Sequence, residues 1–228
     1  MQLSIISPCY NESKNIKKFI EKVFQTFAKK KIELIIIDDD SNDGTDKIIK
    51  KLLKKYKNLK FFSRKDKPRD LSSSCFLGIK KATYNKILIM DSDLQHDPKD
   101  IIKLYNKLIK TNADVVVGSR NLLKRSKGLS LFRQIASVLI ILTFNLFLGK
   151  KTSDPMSGFF IFKKKIYNKK NNYFSKGFKI LADLIYNSKK RLIIKDENIN
   201  FKIRKGNSSK MSIKILILIV FFIFKKIF

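Results

Sequence analysis

Residues 87–98 read ILIMDSDLQHDP, four apolar residues followed at once by an acidic and polar segment. A short apolar run of this kind is typical of a strand that is buried on both faces, as in a parallel sheet. Asp97 and Pro98 then predict the start of a helix, with Asp97 as its N-cap and Pro98 at its first position. The stretch therefore predicts a strand, a polar loop and a helix, which is the repeating unit of an α/β fold.

The same unit recurs through the first 120 residues. Short apolar runs predict five strands, at Leu3 to Ser7, Leu34 to Asp38, Leu59 to Ser63, Ile87 to Asp91 and Val115 to Gly118. Between them, apolar residues repeat every three or four positions, which predicts amphipathic helices over 16–27, 48–56 and 101–109. We expect a mostly parallel central sheet with helices packed against it.

Polar and acidic residues follow three of the predicted strands, as PCYNE at 8–12, DDDSNDGT at 38–45 and DSDLQH at 91–96. Segments 38–46 and 91–100 together hold nine of the 19 acidic residues. Because ligands of open α/β sheets bind beyond the carboxyl ends of the strands, we expect the functional site at this edge.

Asp91 and Asp93 place two carboxylates at the end of one strand. Hard divalent cations such as Mg²⁺ or Mn²⁺ bind such oxygens and share them with a diphosphate. A lone Asp-x-Asp also occurs in solvated turns, and residues 38–45 equally fit a helix cap and first turn. The residues alone leave these alternatives open.

The composition fits one domain, or one domain with a short appendage, at 228 residues and 26.6 kDa. A hydrophobic content of 44% excludes a disordered chain. The net charge of +31 favours nucleic acid, an anionic membrane surface or a phosphorylated ligand as partner, although an AT-rich coding sequence also enriches lysine. No nucleic-acid-binding motif is recognisable, so we expect no nucleic acid partner.

Cys9 and Cys75 are too few for a disulfide framework, which favours a reducing compartment.

Membrane contact is predicted at two apolar segments, Phe132 to Leu148 and Ile213 to Phe228. Neither reaches the roughly 18 to 20 apolar residues of a spanning helix, and both fit amphipathic helices at a bilayer interface. For the first segment, packing over the sheet is the alternative. The apolar start, Met1 to Pro8, lacks the basic flank of a signal peptide.

In combination and order, the motifs resemble family 2 glycosyltransferases of the GT-A fold, and within them the dolichyl- or polyprenyl-phosphate mannose synthase group. The resemblance runs from Leu3 to about Met211, through SPCYNE at 7–12, DDDSNDGT at 38–45, RDLSSS at 69–74 with Gly78, MDSDLQHDP at 90–98, VVVGSR at 115–120, SDPMSGFF at 153–160, GFKIL at 177–181 and Arg204 to Lys210. It implies a GT-A domain with a Rossmann-like sheet over residues 1–210 and a short, membrane-associating segment over 211–228.

The resemblance also implies roles for individual residues. The nucleoside of a sugar donor would be held by Pro8, Tyr10, Glu12, Ile37 and Asp39, with the Tyr10 ring offering a face to the base. The donor's diphosphate and a Mg²⁺ or Mn²⁺ ion would be held by Asp91, Asp93 and Gln95, with Ser92 beside them. The acceptor's phosphate would be clamped by Arg120 and Arg133, which with Asp91 and Asp93 form the catalytic set, and Arg120 also faces the donor. The donor's phosphates would be faced by Lys179, Arg204 and Lys210, although Gly206 lies one place early in the family's closing motif.

The activity implied is metal-dependent, inverting transfer of a hexose, with mannose from GDP-mannose favoured, to a polyprenyl or dolichyl phosphate at the cytoplasmic face of the membrane. A phosphate monoester is already largely a dianion at neutral pH, so no general base is needed and His96 is predicted to be structural. The alternatives are UDP-glucose or another nucleotide sugar as donor, a non-lipid acceptor, and a nucleotidyltransferase, which would carry a Gly-rich loop near the first strand. A more distant alternative is a basic nucleic-acid-binding protein, whose function would depend on the net charge of +31. The C-terminal segment would rest on the membrane, bind a separate membrane protein, or reflect an incomplete lipid site.

Overall fold

The computed structural model describes residues 1–120, 141–144, 146–147, 149–168, 173, 177, 180–188 and 190–199. Its strands are β1 (Gln2–Cys9), β2 (Lys31–Asp38), β3 (Leu59–Ser63), β4 (Lys86–Ile89), β5 (Val115–Arg120), β6 (Phe160–Lys163) and β7 (Ile194–Ile199). Its helices are α1 (Ile16–Thr26), α2 (Thr45–Leu53), α3 (Leu71–Lys81), α4 (Asp100–Lys110) and α5 (Ile180–Tyr186), with a 3₁₀ turn at Lys164–Ile166.

The seven strands form one sheet in the order β3-β2-β1-β4-β6-β5-β7. β1 runs parallel to β2 and β4, β2 to β3, and β5 to β7. Only β6 runs antiparallel to its neighbours, β4 and β5, among the described strands. The predicted mostly parallel sheet with flanking helices is confirmed, whereas α3, α5, β6 and β7 were not predicted.

Several predicted boundaries need correction. α2 lies three residues earlier than the predicted 48–56, and β1, β2 and β5 are longer than predicted. β4 ends at Ile89 rather than at Asp91. α4 begins at Asp100, two residues beyond the predicted Pro98. The carboxylate of Asp97 accepts a hydrogen bond from the backbone N–H of Lys99 at 3.1 Å, so Asp97 caps the turn that leads into the helix rather than the helix itself.

The core lies in two layers, one on each face of the sheet. One layer packs α1, α2 and α4 against the face that carries Ile5, and the other packs α3 and α5 against the face that carries Ile6. Successive residues of a strand point to opposite faces, which explains why neighbouring isoleucines join different layers. The helices thus cover both faces and leave the carboxyl ends of the strands as the place for a site.

Two glycines permit close packing within this core. A Cβ on Gly78 would clash with Cγ2 of Ile6, so α3 packs directly on β1. A Cβ on Gly118 would lie 2.9 Å from the backbone oxygen of Phe159, next to the start of β6. Larger side chains at either position would push these elements apart.

The first predicted membrane segment is described only in part. Residues 141–144 and 146–147 are helical, with Phe144 buried and Leu142, Leu146 and Phe147 exposed. Segment 213–228, and with it the predicted C-terminal helix, lies outside the described residues. None of the helices that the structure describes is both long enough and apolar enough to cross a bilayer.

Candidate active site

The carboxyl ends of β1, β2 and β4 meet at one edge of the sheet. Strand order reverses between β1 and β4, and such a reversal marks the ligand crevice of an open α/β sheet. Ser92, after β4, donates a hydrogen bond through its hydroxyl to the carbonyl of Pro8 in β1 at 3.3 Å. The backbone N–H of Asp39, after β2, donates to the carbonyl of Cys9 at 2.9 Å. The three polar segments picked out in the sequence therefore form one continuous surface.

The loop after β1 is fixed by the loop after β2. Backbone N–H groups of the first loop donate to side chains of the second, from Asn11 to Ser41 (2.9 Å), from Glu12 to Thr45 (2.9 Å) and from Ser13 to Asp43 (3.0 Å). Burial raises the pKa of Asp43, but hydrogen bonds from Thr45 and Ser13 outweigh burial and lower its pKa to about 2. Asp43 and Thr45 thus have the structural, helix-start role that the sequence left open.

Asp39 lies in a hydrogen-bond network that sequence reasoning missed. One oxygen of its carboxylate accepts from the Arg64 guanidinium, and the other accepts from the backbone N–H of Asp70 at 2.7 Å. Arg64 also donates to the carbonyl of Asp70 (2.9 Å), the hydroxyl of Ser74 (3.1 Å) and the carbonyl of Pro68 (3.1 Å). Burial raises the pKa of Asp39, and the Arg64 guanidinium offsets part of this rise.

Tyr10 carries a cation on its ring. The guanidinium carbon of Arg69 lies 4.3 Å from the centroid of the Tyr10 ring, a cation–π contact. Tyr10 is half-buried and Arg69 is exposed. A ring face predicted to receive a nucleobase is thus occupied by an arginine of the RDLSSS motif.

Asp70, the next residue, joins this loop to α3 and to the GFKIL motif. Its carboxylate accepts from the backbone N–H of Ser73 at 2.9 Å, which caps α3, and from the backbone N–H of Gly177 at 2.5 Å. The hydroxyl of Ser72 donates to the carbonyl of Gly177 at 2.6 Å. Gly177 has a φ of 78°, a left-handed conformation that glycine adopts without strain.

The loop after β4 carries the carboxylates predicted to hold a metal ion. Asp93 is buried, and its carboxylate accepts from the backbone N–H of Gln95 at 3.0 Å. Asp91 faces Gly158, where a Cβ would lie only 3.1 Å from Oδ2 of Asp91, so the glycine keeps space beside this oxygen. In the part of the chain that the structure describes, no three His, Cys, Asp or Glu side chains group as a metal cluster.

Two buried residues, Cys75 and His96, lie next to this edge of the sheet. Burial raises the pKa of the Cys75 thiol, and nearby carboxylates, those of Asp91, Asp70 and Asp39, raise it further. His96 is buried and stacks on the ring of Phe159, with centroids 4.7 Å apart, as expected for a structural residue. The loop after β2, the start of α3 and the loop after β4 therefore surround one region.

Of the predicted site residues, the structure brings nine to this edge, namely Pro8, Tyr10, Glu12, Ile37, Asp39, Asp91, Ser92, Asp93 and Gln95. Ile37 is fully buried in β2 between β1 and β3, so no part of this residue is exposed to a ligand. Arg120 ends β5, and its side chain is outside the description. The remaining predicted ligands, Arg133, Lys179, Arg204 and Lys210, lie outside the described residues.

The architecture is that of a GT-A glycosyltransferase. A solved structure of glucosyl-3-phosphoglycerate synthase from Mycobacterium tuberculosis with phosphoglyceric acid matches with a TM-score of 0.71 and 16% identity, over 99% of this chain and 79% of that chain. The same enzyme in complex with Mn²⁺, UDP-glucose and phosphoglyceric acid matches with a TM-score of 0.69 and 15% identity, over 99% of this chain and 78% of that chain. These similarities establish the fold.

The family follows from the sequence. The model of glycosyl transferase family 2 matches residues 4–170, and the chain belongs to this family of glycosyltransferases. The chain is 31% identical to the dolichol-phosphate mannosyltransferase of Pyrococcus furiosus, over 92% of this chain and 59% of that protein. It is 32% identical to the dolichol-phosphate mannosyltransferase of Saccharomyces cerevisiae, over 95% of this chain and 84% of that protein. The predicted resemblance is confirmed, and the chain spans 59% of the length of the Pyrococcus relative.

Proposed function

We propose that this chain is a polyprenyl-phosphate mannose synthase, which transfers mannose from GDP-mannose to a polyprenyl or dolichyl phosphate. The observation that carries the proposal is the junction of two acidic loops at the strand-order reversal, with Asp39 on one side and Asp91 and Asp93 on the other. That junction suits a ligand with a nucleoside at one end and a diphosphate at the other. Two relatives named dolichol-phosphate mannosyltransferase support the choice of sugar and acceptor.

A divalent ion fits the loop after β4. Asp91, Asp93 and Gln95 offer oxygen ligands, and Gly158 leaves room beside Asp91. Mg²⁺ characteristically takes one or two carboxylates and completes its shell with water and substrate phosphate oxygens, so a larger protein cluster is not required. When bound, Mg²⁺ or Mn²⁺ supplies positive charge to stabilise the leaving nucleoside diphosphate.

The chain's own task is then to orient donor and acceptor. An oxygen of the acceptor phosphate attacks the anomeric carbon, the bond from that carbon to the diphosphate breaks, and the anomeric centre inverts. Because the phosphate is already ionised, no residue has to remove a proton. In this proposal Arg120 and Arg133 hold the acceptor's phosphate, and Lys179, Arg204 and Lys210 face the donor's phosphates.

A lipid acceptor places this reaction at a membrane surface, on the cytoplasmic face where nucleotide sugars are available. The exposed side chains of Leu142, Leu146 and Phe147, together with segment 211–228, would supply the apolar contact. The net charge of +31 would add attraction to anionic headgroups.

A product assay tests the proposal. Purified protein is mixed with Mn²⁺ and vesicles that contain a defined polyprenyl phosphate, and radiolabelled GDP-mannose or UDP-glucose is offered in parallel. We expect label in the lipid fraction from GDP-mannose and little from UDP-glucose. Preferential transfer from UDP-glucose would overturn the donor assignment. Absence of transfer to lipid from both donors, with active Saccharomyces enzyme as control, would overturn the lipid acceptor.

A further inference from the structure

Two arginines five residues apart have different surroundings. The guanidinium of Arg64 donates to four acceptors within the protein, those of Asp39, Asp70, Ser74 and Pro68. Arg69 is exposed and contacts the Tyr10 ring through its guanidinium. Within the described residues, no hydrogen bond or ion pair uses the N–H groups of Arg69. Arg64 therefore organises the loop, whereas the donors of Arg69 are available to a ligand.

The position of Arg69 is fixed from both sides. The following residue, Asp70, is held by the carboxylate of Asp39 through its backbone N–H and by Gly177 through its side chain. The Tyr10 ring supports the guanidinium at 4.3 Å, and Tyr10 itself follows β1 at the strand-order reversal. A fixed backbone and a supporting ring reduce the entropy that a long side chain loses when it binds a ligand.

We infer that Arg69 selects the nucleobase of the sugar donor, with Tyr10 as its support, and that it favours guanine over uracil. This inference rests on the proposed function, since it assumes that the nucleoside of a donor lies beside Tyr10 and Asp39. It gives Tyr10 a different task from the one expected from the sequence. The ring holds the arginine that recognises the base, rather than stacking on the base through that face.

The preference for guanine follows from the shape of the two bases. A guanidinium presents parallel N–H groups that match two adjacent acceptors, and guanine offers such a pair in O6 and N7. In uracil the two carbonyl oxygens are separated by an N–H donor, so the fork can engage only one of them. A well-formed pair of this kind discriminates between bases by roughly tenfold or more.

Calorimetric titration of GDP and of UDP, each with Mn²⁺, tests the inference on the full chain. The variants are Arg69→Lys, which keeps the charge and loses the fork, and Lys67→Ala, which removes an exposed charge from the same loop. We expect wild type to bind GDP more tightly than UDP. Arg69→Lys should weaken GDP binding about tenfold and change UDP binding less than threefold, and Lys67→Ala should leave the ratio of the two affinities unchanged.

Two results would overturn the inference, namely a wild-type preference for UDP and an unchanged ratio of the GDP and UDP affinities in Arg69→Lys. An equal loss of both affinities in that variant would show that the guanidinium fork binds a group that the two nucleotides share, such as the phosphates, rather than the base. The proposed function has a separate readout, the transfer of sugar to lipid. A protein that binds GDP through Arg69 yet transfers nothing to polyprenyl phosphate would refute the function and leave the role of Arg69 intact.

Discussion

Asp39 and Arg64 form an ion pair beneath the loop that carries Arg69, with side chains only 10% and 11% exposed. The same guanidinium reaches the backbone of Pro68 and Asp70 on either side of Arg69. The pair therefore connects the loop after β2 to the start of α3. The same contacts stabilise the fold and position the loop that carries Arg69.

Arg64→Gln should destabilise the protein, because it leaves the Asp39 carboxylate buried without its partner. We expect the free energy of unfolding to fall by about 3 kcal/mol, the usual cost of breaking a buried ion pair. Urea titration followed by circular dichroism measures it. Lys65→Gln, at the exposed neighbouring position, is the matched control and should change the free energy by less than about 0.5 kcal/mol. Equal stability of the two variants would contradict the structural role of Arg64.

Asp93→Asn should lower kcat at least 100-fold while the protein stays folded, because it removes a charge that would hold the ion against the departing diphosphate. Initial rates of sugar transfer over a range of Mn²⁺ concentrations give the result. Asp46→Asn, in the first turn of α2 beside Lys50, removes an acid of the same type outside the loop after β4 and should keep full activity. If Asp93→Asn retained turnover with the wild-type Mn²⁺ requirement, the metal role of Asp93 would be wrong.

Gly158→Ala should impair the site more than the fold. The φ of Gly158 lies outside the left-handed region, so the backbone accepts alanine, but the new methyl group would crowd Oδ2 of Asp91 at 3.1 Å. We expect turnover to fall about tenfold, as displaced catalytic groups generally cost that much or more. Ser153→Ala, exposed in the same segment, is the control. Activity at the wild-type level in Gly158→Ala would show that space beside Asp91 is not required.

Glu33→Gln should show that Glu33, at the opposite edge of the sheet, makes a pH-dependent contribution to the free energy of unfolding. Burial raises the pKa of Glu33, but Lys60, Ser4 and Thr83 outweigh burial and lower its pKa below 4.5. A carboxyl group whose pKa is lower in the folded protein than in the unfolded chain stabilises the fold at pH values above its unfolded-state pKa. This stabilisation is lost as the pH falls through the pKa of the folded state. We expect Glu33→Gln to lose about 2 kcal/mol at pH 7 and progressively less below pH 4.5. A loss that does not change between pH 7 and pH 3.5 would contradict this assignment.

The strands of the first half could be predicted because their signal is local. β3 matches its predicted bounds at Leu59–Ser63, since a short apolar run ends at polar residues on both sides. α3 escaped prediction because it buries Ser72 and Ser74 and so lacks a continuous apolar stripe. β7 escaped because it is an edge strand rich in polar residues, whose Asp196 accepts from Thr152 and whose Glu197 pairs with Lys107.

In the site, too, residues with a local sequence signal could be predicted, and contacts between residues far apart in sequence could not. The acidic loops were predictable, because polar residues directly after an apolar strand mark the carboxyl edge of a sheet. The partners of Arg64 and Arg69 were not, because a single arginine in a loop forms no pattern. Only the folded chain brings Arg64 to Asp39, 25 residues away in sequence, and Arg69 to Tyr10.

The most direct test asks whether an ion at the end of β4 holds the donor's diphosphate. It measures the affinity for GDP with and without Mn²⁺, in wild type and in Asp91→Asn. Calorimetry should show that wild type loses at least tenfold in GDP affinity when Mn²⁺ is replaced by EDTA. Asp91→Asn should bind GDP weakly in both conditions. Tight binding of GDP by wild type in EDTA, or an undiminished Mn²⁺ effect in Asp91→Asn, would contradict the account.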